Sequence, residues 1–167
     1  MTLSAANLFF YFAALIAVVS TLFVITGKNP VHALLNLVVS LLAVAGMFFM
    51  LGAPFAGVLE VIVYAGAIMV LFVFVVMMLN LGKATTEQER AWLKPRSWLA
   101  PAALAGLLLA GLLTVLAGGG GHPAALAEVD AKQVGIVLFG PYLLAVELAS
   151  MLLLAALVAA YHLGKHD

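Results

Sequence analysis

The chain has 167 residues, of which 66% are apolar and 8% charged, and its mean hydropathy is +1.26. That balance excludes a water-soluble globule, where about a quarter of residues carry charge. Seven basic and seven acidic side chains cancel, so nothing in the charge points to nucleic acid. The absence of cysteine removes disulfides, thiolate metal sites, cysteine nucleophiles and cysteine-held iron–sulfur clusters. The first apolar run lacks the basic start and small-residue cleavage site of a secretory signal and is expected to stay as an anchor.

Charge position gives the architecture. No charge lies between Met1 and Gly27, Glu60 alone lies between Lys28 and Lys83, none lies between Arg96 and Glu128, and Glu147 alone lies between Lys132 and Lys165. A spanning helix needs roughly 20 mostly apolar residues. The fold expected is therefore an all-α integral membrane protein, one membrane domain over 1–167, with five transmembrane helices at about 3–26, 30–51, 55–81, 98–117 and 141–163. Continuous apolar runs, without alternation, favour helices over a barrel.

The first break, Gly27-Lys28-Asn29-Pro30, supplies a glycine stop, an asparagine N-cap and a proline at the first helical position. Gly52-Ala53-Pro54 is so short that the second and third helices must be adjacent and antiparallel. Within the loop 82–97, Thr86, Glu87, Gln88 and Glu89 form a capping box for a short surface helix ended by Pro95, with Trp92 and Trp98 at headgroup level. In the loop 118–140, Gly118 to Gly121 reads as flexible and Ala131 to Phe139 as a short interfacial helix before Gly140-Pro141. Lys28, Lys83, Arg90, Lys94, Arg96 and Lys165 fall on one side and Lys132 on the other, which places loop 82–97 and the C-terminus in the cytoplasm and the N-terminus outside.

Soluble-enzyme signatures are missing: no GxxxxGK, GxGxxG, HExxH or GxSxG occurs. His162 and His166 have the i, i+4 spacing of a metal pair, but at a helix end with few further ligands they read as solvated histidines, and no metal site is expected. Glu60 and Glu147 stand out, because a carboxylate inside a membrane helix costs several kcal/mol unless protonated, paired or hydrated. At about 1.5 Å per residue, Glu60 lies roughly 8 Å into the third helix and Glu147 roughly 9 Å past Pro141. Two readings stay open: both carboxylates reach water at the outer interface, or one or both line a hydrated proton path or meet a buried partner charge.

On an α-helical period Glu60 shares a face with Ala56, Gly57, Tyr64 and Ala67, a stripe suited to protein contact. At about 27 residues the third helix must tilt, kink or bulge, and Gly66 supplies a flexible point beside Tyr64. Ala33, Asn36, Ser40 and Ala43 on the second helix, and Ala102, Gly106 and Ala110 on the fourth, read as close-packing stripes.

The run Gly57 to Asn80 resembles the third helix of subunit J of the bacterial proton-pumping NADH:quinone oxidoreductase, respiratory complex I. Asn29 to Leu35, Glu87 to Pro95 and Phe139 to Leu154 are similar to the same family, whereas the loop from Gly118 shows no such agreement. The resemblance implies a multi-pass protein of the bacterial cytoplasmic (inner) membrane, in contact with lipid and with the subunits equivalent to H, A, K and N. It also implies a cofactor-free subunit, not catalytic alone, of an NAD-dependent translocase that uses FMN, iron–sulfur clusters and quinone such as ubiquinone. The resemblance further implies a π-bulge near Tyr64 and Gly66 whose change would carry Val70 into or out of a water path, and with Glu60 and Glu147, singled out above by their place in the spans, these are the candidate proton-path or gate residues. Two other classes remain beside this one: a passive ion channel subunit, and the related membrane module of a multisubunit cation/proton antiporter or membrane hydrogenase.

The orientation is open to labelling. A cysteine placed between Gly118 and His122 should react with a membrane-impermeant reagent from the outer face, and labelling from the cytoplasmic face alone would reverse the topology.

Overall fold

The computed structural model describes residues 5–27, 29–79, 98–117 and 128–165. The helices are α1 (Ala5–Thr26), α2 (Pro30–Met50), α3 (Pro54–Leu59), a π-helical segment (Glu60–Ile68), α4 (Met69–Leu79), α5 (Leu99–Ala117), α6 (Ala131–Phe139) and α7 (Leu143–Gly164). Five helical stretches are long and apolar enough to cross a membrane: Asn7–Thr26, Pro30–Met50, Pro54–Met78, Leu99–Ala117 and Leu143–Gly164. The surface helix expected before Pro95, Trp92 and the glycine run from Gly118 lie outside the described residues. The chain divides into two compact units, Met1–Glu128 and Val129–Asp167.

Turn chemistry explains the helix ends. Asn29 sits in extended geometry and its Oδ1 accepts from the backbone N–H of Val31 at 2.9 Å and of His32 at 3.4 Å, with Pro30 opening α2. Such a cap is worth about 1 kcal/mol. At the far end of α2 the Ala53 N–H reaches back to Phe48 O at 3.0 Å and the Gly52 N–H to Phe49 O at 3.3 Å. This is the paired bonding of a Schellman motif. It requires a left-handed residue, and Gly52 takes it at φ 74°. Three residues, Leu51 to Ala53, therefore suffice to reverse the chain into α3.

In the first unit α1 packs along α2, and α5 lies against both. Phe9, Ala13, Ile16, Ala17 and Ser20 form the inward face of α1, meeting Asn36, Val39, Ser40 and Ala43 of α2 and Val115 of α5. The α2 stripe read from the sequence is thus buried. The α5 stripe is not: Ala102, Gly106 and Ala110 are exposed, and a β-carbon on Gly106 would meet nothing within 4 Å. The contact face of α5 is formed instead by Pro101, Leu104, Ala105, Leu108, Gly111 and Val115. Within this chain the complement to Phe9 is a single glycine, Gly111, so the small-residue stripe takes no part in the contacts α5 makes with α1 and α2.

In the second unit Asp130 caps α6, its Oδ1 accepting from the Ala131 N–H at 2.7 Å. The last span begins at Leu143 and not at Pro141, because Gly140, Pro141 and Tyr142 form a turn in which the Tyr142 N–H bonds Val137 O and the Leu143 N–H bonds Gly140 O. Along α7 only Val146 is partly covered by its own chain.

Gly57 marks the closest approach of α3 to α2. A β-carbon there would lie 2.9 Å from Phe49 Cε2 and 3.1 Å from Ala45 O. Gly57→Ala should therefore force α3 off α2 at a cost on the order of 1–3 kcal/mol. Thermal unfolding of the assembled protein should show a lowered midpoint, and an unchanged midpoint would contradict this packing.

Candidate functional site

Span three changes its winding in mid-membrane. Residues Glu60–Ile68 are π-helical, and the Met69 N–H that leaves the segment bonds Tyr64 O, five residues back. At the entry the Glu60 N–H is shared between Ala56 O and Gly57 O. Sequence and winding are consistent: Val61, Ile62 and Val63 include three consecutive β-branched side chains, which crowd an α-turn. Ala65, Gly66 and Ala67 follow, with little side chain to resist a wider turn. A β-carbon on Gly66 would stand 3.1 Å from Val61 O, closer than most side chains come to a neighbour.

Four of the five residues singled out in the sequence lie on this span, Glu60, Tyr64 and Gly66 in the π segment and Val70 just past it. Glu60 opens the π segment and is half-buried; among the described residues its carboxylate has no hydrogen bond or ion pair. Tyr64 is 52% exposed and Val70 64% exposed. Gly66 is partly covered. The stripe expected to join Glu60 to Gly57, Tyr64 and Ala67 is split: Gly57 is buried against α2, while Tyr64 and Ala67 are uncovered by this chain. The expectation assumed an α-helical period throughout, and the π segment changes the angle between successive residues.

The fifth residue, Glu147, belongs to the other unit, on α7, where it is exposed. Its backbone carbonyl accepts from Ser150 Oγ at 2.7 Å, and its carboxylate has no partner among the described residues. His162 is exposed on the same helix, and His166 lies outside the described residues. Among the described residues no three His, Cys, Asp or Glu side chains come together as a metal site.

One feature went unread in the sequence. Ser20 and Thr21 of α1 face the polar positions of α2, with Thr21 Oγ1 2.9 Å from Ser40 Oγ. The signal available was a pair of adjacent hydroxyls inside an otherwise apolar span. The third span is thus a helix with a built-in register change beside an unpaired carboxylate.

Comparison with known proteins agrees with the resemblance seen in the motifs. A family model for NADH-ubiquinone/plastoquinone oxidoreductase chain 6 matches residues 20–163. NADH-quinone oxidoreductase subunit J of Pseudomonas aeruginosa is 69% identical over 163 residues, covering 95% of this chain and 96% of its own. The protein of the same name from Escherichia coli is 60% identical over 158 residues, covering 95% and 86%. That of Buchnera aphidicola from Schizaphis graminum is 53% identical over 156 residues, covering 93% and 96%.

The π winding makes a structural prediction. In Gly66→Ala the added methyl crowds Val61 O, so the segment should shift toward α-helix, the Met69 N–H moving from Tyr64 O to Ala65 O. A structure of the variant in its assembled state decides, and an unaltered Met69 to Tyr64 bond would show that the glycine is not what sets the winding.

Proposed function

The chain belongs to the NADH-ubiquinone/plastoquinone oxidoreductase chain 6 family, and from that premise we propose that its third span acts as a switch coupling quinone reduction to proton translocation. It is a multi-pass membrane subunit of NADH:quinone oxidoreductase, and other subunits of that complex are its partners. The finer reading places it in the bacterial inner membrane with its N-terminus outside, against the subunits equivalent to H, A, K and N. In this reading the chain is not catalytic alone and holds no cofactor; flavin, iron–sulfur and quinone chemistry belong to its neighbours.

The observation that carries the switch is the π segment Glu60–Ile68, which sits between two regular helices. Gaining or losing one residue of register there turns everything downstream by roughly 100°, since an α-helix has 3.6 residues per turn. Val70, just past the segment, would swing an apolar side chain into or out of whatever path the half-buried Glu60 borders. Glu60 needs water or a partner in at least one of the two states. A chain of water reaching it in one state and blocked by Val70 in the other is a gate. Glu147, on α7 of the other unit, is the second carboxylate within a membrane span and a candidate proton-path residue in its own right.

Gly66→Val tests the switch. Its β-branched side chain should bias the segment against the π form by on the order of 1–3 kcal/mol, and about 1.4 kcal/mol is already a tenfold change in the ratio of two states. In membranes holding the variant complex at normal amount, quinone-coupled proton pumping should fall severalfold, while NADH oxidation by an artificial acceptor upstream of the membrane arm stays near normal. Unchanged pumping at normal assembly would reduce Gly66 to a packing residue.

A further inference from the structure

Away from the third span, α1 and α2 enclose a polar seam. Asn29, His32, Asn36 and Ser40 recur at three- and four-residue spacing along α2, and α1 contributes Ser20 and Thr21. Several of these groups are paired. Thr21 Oγ1 donates to Ala17 O at 2.8 Å, Ser40 Oγ lies 2.9 Å from Thr21 Oγ1 and 3.2 Å from Ala17 O, and Asn36 Nδ2 donates to His32 O at 2.8 Å. Among the described residues three enclosed atoms have no partner: Asn36 Oδ1, His32 Nε2 and Ser20 Oγ. Asn36 is only 5% exposed and Ser20 not at all.

Asn36 is the most constrained of the three. A serine hydroxyl can rotate onto a carbonyl of its own helix, but the Asn36 amide cannot flip without losing its bond to His32 O and setting two oxygens against each other. Its free atom is thus an acceptor, roughly 9 Å from the start of α2 at 1.5 Å per residue. Leaving it unmet is costly, because an enclosed acceptor loses its bond to water and gains none in return. The donor has to be small, because the atom is closed off from the surface. His32 is one turn away on the same face, with β-carbons about 5–6 Å apart at i, i+4, and its Nε2 is the other enclosed atom without a partner.

We propose that α1 and α2 enclose a bound water molecule bridging Asn36 Oδ1 and His32 Nε2. Water fits the site because it needs two or more polar contacts and little room, and it can donate to the amide oxygen while accepting from, or donating to, either tautomer of the imidazole. The site lies on the α1–α2 pair and stands or falls independently of the switch in the third span.

The test is a density map of the whole complex at a resolution that reveals enclosed waters. A peak is expected about 2.7–3.2 Å from both Asn36 Oδ1 and His32 Nε2, and in Asn36→Leu that peak should be lost. The wild-type map decides even where the variant fails to assemble. An empty position in a map that shows comparably enclosed waters elsewhere would overturn the proposal, as would a direct bond from Asn36 Oδ1 to another side chain.

Discussion

A peptide group in hydrocarbon has no water to fall back on, and an unmet N–H or C=O there costs several kcal/mol. Each irregularity in this chain is shaped by that cost. The reversal between α2 and α3 closes with both bonds of a Schellman motif, and α2 starts on a side chain that accepts two backbone N–H groups. The third span illustrates the same constraint more sharply. A break beside Glu60 would expose carbonyls to lipid, whereas a π segment changes the helical phase and keeps the ladder intact. Register change by rewinding is therefore the form of flexibility this environment permits.

The second constraint is the weakness of the hydrophobic effect between helices already surrounded by apolar chains. Contacts depend on close approach, and two glycines control where that happens. Gly57 admits the ring of Phe49, and Gly111 admits Phe9, whose Cδ2 would lie 2.9 Å from an added β-carbon. Elsewhere large apolar side chains stand uncovered, from Leu8 and Leu15 on α1 to Leu152 and Leu163 on α7. In a soluble protein such exposure would mean misfolding. Here it is the surface that lipid and neighbouring subunits of NADH:quinone oxidoreductase cover.

Gaps between charges were enough to read the five spans, since a buried charge is the costliest thing a membrane helix can carry, and Asn29 and Gly52 fixed two turns through local chemistry. What stayed hidden depended on geometry at a distance. An α-helical wheel cannot show that the phase shifts after Leu59, so Tyr64 and Ala67 were assigned to a covered face that the π segment turns away. The contact that α5 makes within this chain could not be read from its small-residue stripe, because small residues permit contact without requiring it; the neighbour's shape decides, and Phe9 meets Gly111. Glu60, Tyr64, Gly66, Val70 and Glu147 could be nominated as residues out of place in a membrane, but their relation to one another could not.

A switch must also be free to move, and the packing around α4 bears on that freedom. Of its residues with described side chains, Met69 alone is buried, while Val70, Leu71, Phe72 and Phe74 are all exposed on this chain. In the proposed switch a rotation of roughly 100° would withdraw Met69 from its buried place and move Val73 and Val76, the two half-buried residues of α4, while the exposed residues lose no cover from the described part of this chain. An unbranched thioether with three rotatable bonds can refill such a gap better than a branched residue could. The proposed switch therefore places the choice between windings with whatever surrounds α4, which is what coupling requires: a ligand or partner shifts an equilibrium only as far as it binds one state better than the other. A third span held firmly by its own subunit would wind in only one way, whereas one with an uncovered second half would answer to its neighbours.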